Sequence, residues 1–229
     1  MAVSRPSLGR LILVPALITL AVTLIRLIGE LSRWSPSLFN REPGGPGALV
    51  GIVWLIPVFG IYFALRLARA GERPTGIGRT LAWAAVAFIV TVAVLIGSVK
   101  LFPASPVVQN GLFALGCWLA IAVARPGWPA LWRVLLAYGF AARIPVLVVM
   151  FLAIFLGWDT HYAKARPDFP PMGHWGLFFW TAFLPQVSIW IWLTIVGGMI
   201  FGALALAVRR LRRGGAGEGV AGASVSAGA

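Results

Sequence analysis

The sequence predicts an all-α, polytopic integral membrane protein with six transmembrane helices and with both termini in the cytoplasm. Three features indicate this fold: a strongly apolar composition, a set of long apolar runs, and basic residues that gather on alternate connections between the runs. Of the 229 residues, 60% are hydrophobic and only 11% are charged, and the mean hydropathy is +0.92. A water-soluble domain of this size needs more polar surface to cover its core.

The apolar runs have the length that a bilayer requires, since a helix needs about 20 apolar residues to cross the hydrocarbon core. Short links join the runs, so a single transmembrane domain over residues 1–208 is expected. The six predicted spans are residues 11–31, 49–68, 81–102, 107–124, 130–157 and 183–208.

The first run could be mistaken for a secretory signal, because Arg5 and Arg10 precede it. However, its apolar stretch of about twenty residues exceeds the roughly 7–15 residues of a signal core, and no small-x-small cleavage site follows. We therefore predict an uncleaved spanning helix. The second run follows a link over 36–47 that is rich in proline and glycine, and the third run leads into Lys100.

The fourth run is the shortest and contains two glycines, yet the charges support its crossing. If it did not cross, the four-arginine segment after the sixth run would lie outside, against the positive-inside rule. The sixth run is too long for one span, and Pro185 is expected to divide it, leaving 175–184 as an aromatic segment ahead of the span. Gly198 and Gly202 form a GxxxG pattern that predicts close helix packing within the protein.

The basic residues determine the predicted orientation. Alternate segments carry 12 of the 19 lysines and arginines on one side and 5 on the other, while Arg26 and Arg143 lie within helices. The side with 12 includes both termini and is predicted to be cytoplasmic. Arginine outnumbers lysine 17 to 2, which is typical of a GC-rich bacterial genome, so we predict the bacterial cytoplasmic membrane (the inner membrane).

The net charge of +13 predicts contact with the lipid bilayer and its anionic headgroups. Nucleic acid is not expected as a partner, because the basic residues flank apolar runs and form no soluble patch. A membrane protein or a second copy of the chain is a further candidate partner, and no cofactor is expected. Residues 209–229, basic and then rich in glycine and alanine, are predicted to form a disordered cytoplasmic tail. The arginines expected to meet anionic lipid headgroups are Arg66, Arg69, Arg73, Arg79, Arg209, Arg210, Arg212 and Arg213.

A group of polar residues inside the spans is the first candidate site. Arg143 lies 13 residues after the start of the fifth run, or roughly 20 Å along the helix and near the middle of the bilayer, where an arginine needs a polar neighbour. Arg26 and Glu30 are one helical turn apart in the outer third of the first run. With Asn110 and Gln186 they predict an outward-facing polar vestibule that binds substrate, with Arg143 at its floor. Separate hydrogen bonds between helices are the alternative interpretation.

The outer loop before the sixth run is the second candidate, because it carries both histidines of the chain. Two imidazoles and two carboxylates could bind a transition metal, although their spacing matches no standard zinc signature. A solvated loop in contact with lipid headgroups is the alternative. The four candidate ligands are Asp159, His161, Asp168 and His174.

The sequence favours a non-enzymatic scaffold, assembly factor or accessory subunit, because its loops are short and it carries no catalytic motif. A small transporter or lipid-handling protein is the alternative, and it would use the vestibule around Arg26, Glu30 and Arg143. Enzymatic activity in the histidine-bearing loop is the least supported of the three functions.

Overall fold

The computed structural model describes residues 7–44 and 49–226, and the side chains among them as far as Arg212. This part of the chain is helical, without strands, as predicted. A 3₁₀ turn, Arg125–Gly127, follows the fourth helix, and a π-helical segment, Phe178–Phe183, joins the sixth to the seventh. The α-helices are α1 Leu8–Leu31, α2 Leu55–Arg69, α3 Ile77–Leu101, α4 Pro106–Ala124, α5 Pro129–Phe155, α6 His174–Leu177, α7 Leu184–Val187 and α8 Ile189–Ser226.

Five helical stretches in the described part of the chain are long and apolar enough to cross a membrane, which indicates a multi-pass membrane protein. Four of them correspond to the first, third, fourth and fifth predicted spans. The remaining helical stretch combines α6, the π-helical segment, α7 and the first part of α8. The candidate spans are Leu8–Leu31, Ile77–Leu101, Pro106–Gly127, Pro129–Phe155 and His174–Arg212.

The predicted second span, 49–68, needs correction, because helix α2 begins only at Leu55 and has 15 residues. At 1.5 Å per residue it is about 22 Å long, shorter than the roughly 30 Å hydrocarbon core. Residues 49–54 form bends and turns instead. The amides of Leu49 and Val50 donate to the carbonyls of Ser37 and Leu38 at 3.3 and 3.1 Å, so this backbone pairs with the preceding loop.

The sixth predicted span is also different in detail, because the irregularity extends beyond Pro185. The helix is π-helical over Phe178–Phe183, ahead of this proline, and it is interrupted at Ser188 (φ −117°, ψ −74°). Pro185 has no N–H to donate to a carbonyl of the preceding turn. The Trp180 carbonyl, five residues earlier, instead accepts a hydrogen bond of 3.0 Å from Asn110 Nδ2 on α4. A neighbouring helix thus satisfies backbone that lipid could not.

Glycines allow α2 to pack closely against α8. A Cβ on Gly60 would lie 2.6 Å from Gly198 Cα, and a Cβ on Gly202 would lie 2.8 Å from Ala64 Cβ. The backbones therefore approach at the predicted GxxxG pattern, within one chain. Elsewhere α3 packs against α4, and α1 packs against α5.

The bundle has two chemically different ends. The end formed by the α2–α3 link, the 3₁₀ turn and residues 206–212 of α8 carries most arginines and is called the basic end. The opposite end, called the loop end, carries residues 32–44, 49–54 and 156–173. Helix α8 continues to Ser226, but the side chains of 213–226 and all of 227–229 lie outside the described residues, so the disordered tail over 209–229 stays a prediction.

Candidate functional site

A cavity of about 900 Å³ lies at the loop end. Its walls are α1, the middle of α5, the irregular stretch from the π-helical segment into α8, and two loops: the non-helical residues 49–54 and the segment 161–169. Aromatic and aliphatic side chains cover much of the wall, among them Trp54, Trp180 and Trp190. This size is in the range of small-molecule binding sites, which are about 300–1,000 Å³.

The structure brings four of the five predicted vestibule residues to this cavity: Arg26, Asn110, Arg143 and Gln186 line it. Glu30 does not line it but lies directly behind Arg26, whose Nε donates to Glu30 Oε1 at 2.8 Å. Each residue comes from a different element or turn, so the packing of the helices produces the grouping. The sequence predicted a shared vestibule from the positions of these residues in their runs, and the structure shows that four of the five line one cavity.

Arg143 lies in the middle of α5 and only 4% of its surface is exposed. Its Nη1 is 3.5 Å from Gln186 Oε1, a long hydrogen bond, and its Cζ lies 4.7 Å from the centroid of the Trp190 ring. Its Nε is buried without a hydrogen-bond partner, and it forms no ion pair with any residue that the structure describes. Amide and aromatic neighbours solvate the guanidinium but leave its charge uncompensated.

The other three basic residues of the cavity wall each have a carboxylate. Arg26 pairs with Glu30, Lys164 Nζ lies 3.1 Å from Asp159, and Arg166 binds Asp168 through two nitrogens. Hydrogen bonding to Lys164 holds the pKa of Asp159 below its usual value, and Arg166 does the same to the pKa of Asp168, so both acids remain ionised. Among the described cations of this wall, Arg143 alone lacks an acid.

Glu30 holds in place the loop that forms one wall of the cavity. Only 1% of its surface is exposed, and its carboxylate accepts hydrogen bonds from the His161 amide at 2.9 Å and from His161 Nδ1 at 2.5 Å, besides that from Arg26. Burial lowers the pKa of His161 below its ordinary value, although the Glu30 carboxylate opposes this effect. The neutral ring then donates Nδ1–H to Glu30, a tautomer assigned from its partner. We call Arg26, Glu30 and His161 the clasp.

The four predicted metal ligands do not converge. His161 is held by Glu30, whereas His174 begins α6 with its ring 5.5 Å from that of Phe155. Asp159 pairs with Arg41 and Lys164, and Asp168 pairs with Arg166. Within the described ranges no three His, Cys, Asp or Glu side chains form a potential metal site. The two carboxylates of this loop instead form ion pairs with nearby arginine and lysine side chains, which keeps them apart from the histidines.

Sequence reasoning missed several wall residues, and a helical-wheel signal could have found some of them. Val146 and Met150 lie three and seven positions after Arg143 and share its face. Trp190 lies four positions after Gln186, although Ser188 interrupts the helix between them. Helical spacing could not have identified Trp54, because residues 49–54 are not helical although they belong to an apolar run.

Comparisons of the chain with protein-family models, with curated proteins and with solved structures found no match. The function therefore has to be argued from the chemistry of the site.

Proposed function

We propose that the protein binds an anionic amphiphile of the lipid type in the loop-end cavity, and that it is a lipid-handling protein or small transporter. The observation that carries this proposal is Arg143: a buried guanidinium, without a carboxylate among the described residues, that lines a cavity of about 900 Å³. A scaffold, the function that the sequence favoured, has no use for such a charge.

The energetic argument concerns the cost of this arginine. Insertion scales put an arginine at the centre of a membrane helix at about 2.5–3.5 kcal/mol, and a buried charge without a counter-ion is costlier than a paired one. Gln186 and Trp190 lower the cost but carry no negative charge. A bound phosphate or carboxylate would supply both the charge and an acceptor for the orphan Nε.

The amphiphilic character follows from the wall. The charged end of a ligand would meet Arg143, and the tryptophan and aliphatic side chains around it would contact apolar parts. The basic groups nearer the loops already have acids, so they attract an anion only weakly. The ligand's charge is therefore expected at Arg143 and its apolar portion along Trp180, Ile189 and Trp190.

The topology belongs to the same proposal. We propose that α2 is a sixth, short membrane element, that both termini are cytoplasmic, and that the protein resides in the bacterial cytoplasmic membrane. The 12-to-5 distribution of basic residues supports the orientation, which places the cavity on the outer side. The close packing of α2 against α8 supports its membrane location despite its 15 residues.

The test measures protection of a cysteine inside the cavity. Thr181 lines the cavity and its hydroxyl bonds only to a carbonyl of its own helix, so Thr181→Cys is a mild change. The native Cys117 is buried and should not react. In neutral detergent, a water-soluble thiol reagent should label position 181, and added phosphatidylglycerol should slow the labelling, whereas phosphatidylcholine should not.

Arg143→Gln should abolish this protection while the protein still folds, because the change removes an uncompensated buried charge. Arg133→Gln is the matched control: the same substitution in the same helix, at an exposed position of the basic end. Protection that survives Arg143→Gln, or equal protection by phosphatidylcholine, would contradict the proposed anion site. A cysteine at 181 that no reagent reaches would contradict the open cavity.

A further inference from the structure

A second basic depression lies at the other end of the bundle. It has a volume of about 350 Å³ and lies between the α2–α3 link and α8. The end of α2 contributes Arg69, the α2–α3 link contributes Arg73, and α8 contributes Arg209 and Arg210. The apolar lining residues include Ala68, Ile77 and Leu206. We call this depression the basic groove.

The four arginines line the basic groove together. None of them forms an ion pair with a residue that the structure describes, and the groove lining includes no aspartate or glutamate. The backbone at the end of α2 orients Arg73, since Arg73 Nε donates to the Ala68 carbonyl at 3.4 Å. Like charges brought together repel, so this arrangement is most favourable when an anion lies among them.

The local fold explains why the arginines meet. Gly71, at φ +84°, turns the chain sharply after α2, and the indole of Trp128 donates to the Glu72 carbonyl at 3.2 Å, which fixes the link. The link is thereby held beside α8, where Arg209 and Arg210 follow the last apolar turns. The groove is therefore a shaped site between two elements and differs from arginines that merely flank a span.

From this geometry we propose that the basic groove binds the phosphate group of an anionic phospholipid. Guanidinium groups bind phosphate with paired, charge-assisted hydrogen bonds, and arginines on two walls can hold it from both sides. Phospholipid is favoured over free phosphate because the groove lies where apolar helices end, and because its apolar lining suits the glycerol and first acyl carbons. This site is separate from the loop-end cavity, and its occupancy does not depend on the proposed function there.

The test compares two double substitutions of equal charge. Arg69→Gln with Arg210→Gln removes one arginine from each wall, and neither side chain makes a hydrogen bond within the described structure. The control, Arg66→Gln with Arg79→Gln, removes two exposed arginines of the same end that do not line the groove. All proteins carry Arg143→Gln, so that binding in the loop-end cavity cannot contribute.

Phosphatidylglycerol binding is measured by native mass spectrometry at about 0.5 M salt, where the screening length falls to a few ångströms and diffuse attraction is suppressed. The groove variant should bind the lipid at least about tenfold more weakly than the control, which should match the parent. Equal losses in the two variants would assign the binding to general charge and overturn the proposal. Displacement of the lipid by millimolar inorganic phosphate would also overturn it, in favour of a soluble ligand.

Discussion

Replacement of Glu30 by glutamine should release the loop 156–173, which forms one wall of the loop-end cavity. The carboxylate is buried and accepts three hydrogen bonds, at 2.8 Å from Arg26, and at 2.9 and 2.5 Å from the amide and Nδ1 of His161. Glutamine keeps the shape but loses the charge, and its NH₂ group faces donors that need an acceptor. Breaking a buried pair by removing one partner costs about 3–5 kcal/mol, well above the value of an exposed pair.

Amide hydrogen exchange of residues 156–173 measures the effect directly, because the His161 amide is itself one of the donors. The lower figure of about 3 kcal/mol corresponds to roughly a hundredfold rise in the open population of the loop, and hence in its exchange rate. Glu42→Gln is the matched control, since Glu42 is an exposed carboxylate of the first loop. Exchange in Glu30→Gln that is no faster than in Glu42→Gln would refute the clasp.

Two packing features give further predictions, both read from unfolding midpoints in detergent. Asn110→Ala should cost about 1–3 kcal/mol, because it leaves the partly buried Trp180 carbonyl without its donor. The cost should fall when Pro185→Ala restores a backbone donor, and an unchanged cost in the double variant would contradict this account. Gly60→Ala should destabilise by about 1–3 kcal/mol or more, since its Cβ would lie 2.6 Å from Gly198 Cα, whereas Gly97→Ala, with no atom within 4 Å, should be close to neutral. Equal effects at the two glycines would show that the close approach is unimportant.

The sequence predicted the long helices well, because length and hydropathy are local properties of a chain. The exception, residues 49–54, shows the limit of that reasoning. These residues are as apolar as a spanning helix, but two of their amides bond to carbonyls at positions 37 and 38. A pairing between a loop and the start of a run leaves no trace in hydropathy, so the shortened α2 could not be predicted.

For the candidate site, contacts within one helix were predictable from the sequence, but contacts between distant segments were not. Arg26 and Glu30 are one turn apart, so their pairing follows from helical spacing, and the structure confirms it. The further pairing of Glu30 with His161, 131 residues away, depends on how the loop 156–173 folds over α1. Because this contact is distant in sequence, His161 was predicted as a metal ligand, whereas in the structure it binds Glu30.

The distribution of irregular backbone argues for function independently of charge. In a bilayer, non-helical backbone is tolerated only where it is buried in protein or lines a cavity, since lipid offers no hydrogen bonds. Residues 49–54, the π-helical segment and the break at Ser188 are three departures from regular helix in the described part of the chain, and the first two contribute directly to the cavity wall. Pro57 and Pro185 line it as well. A protein that served only to fill and brace a membrane complex would gain stability from straight helices at these places. The irregular segments at these places therefore support the proposed binding site over a purely structural role.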